Sequence, residues 1–230
     1  MKFIIRNNHL LSETIRYLKL HPITEFNFYP GQYVEFVLNE KEIIPFSIAN
    51  APNALGDLEF FIRESQEDPI LCRLRDYLQE HKEINVLGPH GNVLYHPVPN
   101  KPIILLAGGV GISQVKAILE QAMLFKDQRK FLLYWGMSDR RDLVLEDHFQ
   151  IWKKNLNFNY KIIFTRPVIN LVENESIGLP YQMIVQDFPN MQDCLVYSCG
   201  PWEMTDKALA VFLQHQLPRE SLLSDRFAFT

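Results

Sequence analysis

Cysteine is scarce in this 230-residue chain, with only Cys72, Cys194 and Cys199. An odd number with no CxxC spacing excludes a disulfide framework and a plant-type iron–sulfur loop. There is no excess of basic residues either. Lys and Arg total 23 against 27 Asp and Glu, for a net charge of −4, and the cations are scattered. The electrostatic footprint of a nucleic-acid binder is therefore missing. No apolar run reaches the roughly 20 residues that a membrane helix needs, and the longest, Ile103 to Ile112, is broken by glycine. The N-terminal Met1-Lys2-Phe3-Ile4-Ile5-Arg6 is interrupted by charge before a secretory apolar region forms. These absences predict a soluble, cytoplasmic protein with no membrane span. The seven histidines form no HExxH or paired-ligand motif, so no metal site is expected.

Hydrophobic residues make up 47% of the chain, enough for a real core in one large or two small domains. The first hundred residues read mostly as short strands: Phe3 to Arg6, Thr14 to Leu20, Tyr33 to Leu38 and Leu58 to Arg63. Turn residues such as Tyr29-Pro30-Gly31 separate them, and one helical pattern runs from Ile70 to His81. Strands punctuated in this way predict a small antiparallel barrel. Beyond His96-Pro97-Val98-Pro99 the texture changes to buried strands alternating with helices. Strands are expected at Ile103 to Ala107, Lys130 to Trp135, Tyr160 to Thr165 and Cys194 to Ser198. Helices are expected at Ser113 to Phe125, Leu143 to Lys154, Leu179 to Gln186 and Glu203 to Gln214. That alternation implies a parallel sheet covered on both faces. The predicted division is a β-barrel domain over 1–97 and an α/β domain over 98–230.

Two loops carry chemistry. In Leu106-Ala107-Gly108-Gly109-Val110-Gly111-Ile112-Ser113, glycines follow an apolar strand and open a helix, so backbone amides and the helix dipole can meet a pyrophosphate. No Lys-Ser or Lys-Thr follows, which excludes a P-loop, and the spacing departs from GxGxxG. Ninety residues later the pattern returns as Val196-Tyr197-Ser198-Cys199-Gly200-Pro201. At the C-terminal ends of parallel strands, both loops would face one crevice.

Together with Pro30-Gly31-Gln32-Tyr33 upstream and Pro45-Phe46-Ser47, this ordered set resembles the ferredoxin-NADP reductase superfamily, most closely its stand-alone bacterial NAD(P)H:flavin oxidoreductases. The resemblance covers nearly the whole chain, from Pro30 to Phe229. It implies that Gly108, Gly109, Gly111, Ile112 and Ser113 bind NADH or NADPH, and that Cys199 lies beside the nicotinamide C4. Gly200, Pro201 and Met204 match the CGPxxM signature around that cysteine. It further implies that Tyr33, Pro45, Phe46, Ser47 and Ile48 meet the flavin, with the Ser47 hydroxyl reaching N5. Ser47 and Cys199 would then be the catalytic pair. After the second parallel strand, Ser138 with Arg140 or Arg141 either receives a 2′-phosphate or belongs to a solvated charged loop. The terminal aromatics Phe227 and Phe229 either lie near the flavin or pack the domain interface.

Two departures from the family pattern concern flavin affinity. Ile44 stands where relatives have an arginine that reads phosphate or ribityl oxygens, and an aliphatic chain cannot replace guanidinium donors. The segment Glu64-Ser65-Gln66-Glu67-Asp68-Pro69 stands where FAD-retaining relatives have a glycine-rich turn, and its carboxylates repel a diphosphate. The expectation is a weakly bound flavin, whether FMN, FAD or riboflavin, reduced by NAD(P)H. Two alternatives stay open: a flavin-retaining subunit that passes electrons to an iron–sulfur or oxygenase partner protein, and a non-catalytic nucleotide sensor.

Overall fold

The structure, a computed structural model, describes residues 1–95 and 101–227. In its first half, alternating burial turns one face of each strand inward. Val34 and Phe36 of β3 (Tyr33–Asn39), Leu18 and Leu20 of β2 (Ile15–Pro22) and Phe60 and Ile62 of β5 (Leu58–Arg63) form a shared core with Phe3 of β1 (Lys2–Leu10). With β4 (Glu42–Ser47) and β6 (Glu83–His90) these make a six-stranded antiparallel sheet in the order β4-β3-β6-β1-β2-β5. Its two edges approach just past β4, where the Ala49 amide donates to the Glu59 carbonyl at 2.7 Å, which gives the sheet a barrel-like closure. Helix α1 (Pro69–Glu80) covers it through Leu74 and Leu78.

Strands β4 and β6, absent from the sequence-based expectation, each contain proline. Pro45 is tolerated since β4 is an edge strand, and Gly88-Pro89 sits where the β3–β6 register shifts between Tyr33 and Glu35. The second half is a parallel sheet ordered β10-β9-β8-β7-β11-β12. Its strands are β7 (Ile103–Gly108), β8 (Lys130–Met137), β9 (Asn157–Phe164), β10 (Glu175–Ile177), β11 (Leu195–Cys199) and β12 (Leu222–Leu223). Strand β7 is buried throughout. Its alternate residues serve two different cores, with Ile103, Leu105 and Ala107 facing α2 (Ile112–Leu124) and Ile104 and Leu106 facing the core of α4 (Pro180–Asp187) and α5 (Trp202–Gln214). This is the two-faced burial expected of a parallel sheet. Helix α3 (Glu146–Asn155) starts three residues later than its periodicity suggests, because a short helical turn at Arg140–Asp142 precedes it.

The two halves are joined by core and charge together. Ile15, Ala49, Phe61 and Val93 belong to the same hydrophobic cluster as α2 and β7. Lys116 of α2, almost wholly buried, donates to the Ala49 carbonyl at 3.1 Å and pairs with Glu59 at 2.9 Å and Glu120 at 2.5 Å. Asp142 accepts from Arg63 at 2.6 Å and from Thr14 at 2.7 Å. The antiparallel sheet gives way to the parallel one between His90 and Ile103. The boundary expected at 97 lies outside the described residues.

Candidate active site

In the β7–β11 register Ala107 pairs with Cys199, which sets Gly108 and Gly200 side by side at the strand ends. Their backbones approach so closely that a Cβ on Gly200 would lie 2.9 Å from Gly108 N, and one on Gly111 would lie 2.1 Å from the Cys199 carbonyl oxygen. Most of the glycines in the two loops therefore let one loop pack on the other. Gly109 differs. With φ +52°, its Cβ would meet only the Arg63 guanidinium at 3.7 Å, and the Gly109 carbonyl is held by the Trp135 indole N–H at 2.9 Å. Gly109 is thus the glycine whose missing side chain leaves space on the cleft. Helices α2 and α5 both begin here, and neither has a side-chain cap. The positive dipole ends of both helices point at the loops, although the Ile112 amide is spent on Gly109 and Val110 and the Met204 and Thr205 amides on Pro201.

These loops form one wall of a cleft of about 1150 Å³. The facing wall comes from the barrel: Tyr33, Pro45, Phe46, Ser47, Phe61 and Arg63. Of the residues singled out from sequence, Tyr33, Pro45, Phe46, Ser47, Gly108, Gly109, Gly111, Ser113, Ser138, Cys199, Gly200, Pro201 and Met204 all line it. Ile48 and Ile112 do not. Both are buried in the core, Ile48 because its side chain alternates inward past Ser47 and Ile112 because it is the first core-facing position of α2. Phe227 is also off the cleft wall, against the core of α4 and α5 with the Arg219 guanidinium 3.9 Å above its ring, and Phe229 lies outside the described residues.

Burial, with a smaller contribution from the Asp225 charge, pushes the Cys199 thiol far up its scale, so it is a neutral, small wall group and not a base or nucleophile. Asp225 did not stand out in the sequence. It lies just past β12, in a segment whose aromatic residues drew attention instead. Gln114, the third residue of α2, donates to Asp225 Oδ2 at 2.9 Å and also to the Gly31 carbonyl, while Asp225 Oδ1 is buried without a hydrogen-bond partner among the described residues. Burial raises this carboxyl to about 6 despite the opposing hydrogen bond from Gln114. Burial, then the negative charges of Asp225 and Glu35, raises the Tyr33 phenol as well. Asp225 is thus a cleft carboxyl that burial moves up toward neutral pH.

Past the end of β8, both arginines are already paired within the chain. Arg140 forms a two-pronged pair with Glu175 at 2.5 and 2.6 Å and is not on the cleft wall. Arg141 pairs with Asp139 at 2.7 Å and Glu13 at 2.5 Å. In the barrel, the turn before α1 consumes its own amides. Asp68 accepts from Ile70 N at 2.8 Å and from Leu71 N at 3.3 Å, Ser65 Oγ accepts from Glu67 N and Asp68 N, and Pro69 has no N–H. No free amide cluster remains there for a diphosphate.

Residues 105–209 match the family model described as an oxidoreductase NAD-binding domain. A probable flavin reductase of Aliivibrio fischeri is 31% identical over 88% of this chain and 86% of its own length. A CDP-6-deoxy-L-threo-D-glycero-4-hexulose-3-dehydrase reductase of Yersinia pestis is 28% identical over 91% of this chain, which spans 63% of that relative. Among solved structures, the ferredoxin reductase in carbazole 1,9a-dioxygenase superposes with a TM-score of 0.83 at 23% identity, covering 98% of this chain and 68% of that one.

Proposed function

Because this chain belongs to the flavin reductase family, within the ferredoxin-NADP reductase superfamily, we propose that it transfers hydride from NADH or NADPH to a flavin that it holds only weakly and releases reduced. The observation that carries this reading is the single cleft shared by an aromatic barrel wall and an uncapped glycine loop, with Ser47 on one side and Cys199 on the other. Tyr33, Pro45 and Phe46 offer a flat apolar surface suited to an isoalloxazine ring. Gly109 offers room, and the positive dipole ends of α2 and α5 a favourable field, for a pyrophosphate.

When both ligands are bound, they supply the hydride chemistry, from nicotinamide C4 to flavin N5. The chain supplies orientation and exclusion of water. Ser47 contributes a hydroxyl hydrogen bond at the flavin edge. Cys199 is a compact neutral side chain that permits close stacking. Flavin reduction takes up a proton as well as a hydride, and Asp225, raised to about 6 by burial, is a wall carboxyl able to exchange one just below neutral pH.

Loose flavin binding follows from Ile44 and from the α1 turn, whose amides are spent on Asp68 and Ser65. Three free cysteines suit the reducing cytoplasm, where the reaction is placed. We assign residues 1–97 to flavin and 98–230 to the nicotinamide nucleotide. The test is NAD(P)H oxidation with and without added riboflavin. The protein is expected to purify nearly colourless and to turn over only with added flavin. Stoichiometric yellow FAD that survives gel filtration would refute weak binding and favour a subunit feeding a redox partner protein. No turnover with any flavin would favour the nucleotide sensor.

A further inference from the structure

We propose that this chain selects NADH over NADPH because a 2′-phosphate would have to compete for both arginines past the end of β8, Arg140 held by the buried Glu175 carboxylate and Arg141 by the exposed Asp139 and Glu13. The inference rests on the nicotinamide reading of the cleft. In a parallel sheet whose glycine loop follows one strand, the adenosine ribose extends over the end of the neighbouring strand. Here that end is β8, and Met137 and Ser138 beyond the glycine loop are on the cleft wall.

A 2′-phosphate is read best by a free guanidinium at that position. Arg140 is committed in three ways. Both terminal nitrogens bind the Glu175 carboxylate, Nη2 also donates to the Asn170 carbonyl at 3.3 Å, and the guanidinium lies 5.0 Å from the Phe164 ring centroid. Glu175 itself is 4% exposed and accepts from the Val172 amide at 3.0 Å. Pulling Arg140 away would leave a buried carboxylate without its cation, which is costly. Arg141 uses Nε and Nη2 on Asp139 and Nη1 on Glu13. Its guanidinium holds the Asp139 carboxyl down at about 2, so that partner stays charged. In these pairs three carboxylates, Asp139, Glu13 and Glu175, face two guanidiniums, so neither arginine carries charge left over for a phosphate. A 2′-hydroxyl needs no cation, and the Ser138 hydroxyl suffices for it. Two further arginines lie near this edge: Arg63, on the cleft wall, is paired with the buried Asp142 at 2.6 Å, and Arg166, past β9, is exposed and off the cleft wall.

Two measurements test this, one of them independent of flavin. Initial rates with riboflavin should favour NADH over NADPH in kcat/KM by about 10-fold or more, and calorimetry should show 5′-AMP binding at least as tightly as adenosine 2′,5′-bisphosphate. Glu175→Gln should release Arg140 and raise bisphosphate affinity by about 10-fold relative to 5′-AMP. If that variant does not fold, Asp139→Asn with Glu13→Gln, at exposed sites, should release Arg141 with the same sign. Wild-type protein that binds the bisphosphate more tightly than 5′-AMP overturns the proposal, and loss of that preference in Arg140→Gln or Arg166→Ala would identify the cation that reads it. Released arginines that leave the affinity ratio unchanged also overturn it. If no flavin is reduced by either nucleotide while 5′-AMP is still favoured, the flavin reading fails and this one stands.

Discussion

Asp225→Asn isolates the cost of placing a carboxylate against the cleft. The folded protein raises this group from 3.8 to about 6, chiefly through burial, so folding favours the protonated form. For an acid whose folded value lies above its unfolded one, stability is full below the unfolded value and is lost as pH rises through the folded value. A shift of about two units at 1.36 kcal/mol per unit makes the loss up to about 3 kcal/mol, spread between roughly pH 4 and pH 7. Asparagine has the same shape and no charge, so the variant lacks this decline. It carries instead a pH-independent offset. Its carbonyl can accept from Gln114 as Asp225 Oδ2 does, which turns its amide toward the position where Oδ1 has no partner, at about 1 to 3 kcal/mol for an unsatisfied donor. The measurement is urea unfolding of both proteins at several pH values, compared as a difference so that other titrating groups cancel. Stability of the variant relative to wild type should climb by about 3 kcal/mol from pH 4 to pH 7 and then level. A difference that stays flat across this range refutes the claim that Asp225 is buried against its charge.

Gly109→Ala should fold, at about 1 to 2 kcal/mol for a side chain at positive φ, and lose nicotinamide affinity, whereas Gly111→Ala should fail to fold because its Cβ would sit 2.1 Å from the Cys199 oxygen; circular dichroism and nucleotide titration separate the two. Ser47→Ala should lower the hydride-transfer rate seen by stopped flow by roughly 10- to 1000-fold with nucleotide affinity kept, and Cys199→Ala should be milder because the neutral thiol only shapes the wall. Equal rates in Ser47→Ala and wild type would remove Ser47 from the reaction. Lys116→Met should cost about 3 to 5 kcal/mol in chemical denaturation by leaving Glu59 and Glu120 facing each other without their cation, and adding Glu120→Gln should recover part of it.

The local periodicities were sufficient for much of this fold. The short unbroken apolar run of β7, ended by glycine, reads as a strand buried on both faces, and the helical pattern that follows marks the loop that lines the cleft. The same holds for Val196 to Pro201, because strand, glycine and helix succeed one another within a few residues. Strands β4 and β6, which both carry proline, are not among the strands expected from the sequence, and the edge position of β4 and the register shift beside β6 are what accommodate their prolines. The purpose of individual glycines was likewise a tertiary matter: Gly111 and Gly200 look like phosphate-loop residues in the chain but face protein backbone from another loop, while Gly109 faces the cleft. Charge was the least legible of all. Arg140 and Glu175 are 35 residues apart, and Gln114 and Asp225 are 111 apart, so whether an arginine is free or a carboxylate stripped of water depended on which distant segment the folded sheet set against it. Short-range steric and hydrophobic patterning is written along the chain, whereas the desolvation and pairing that set charge behaviour arise only when remote segments exclude water together.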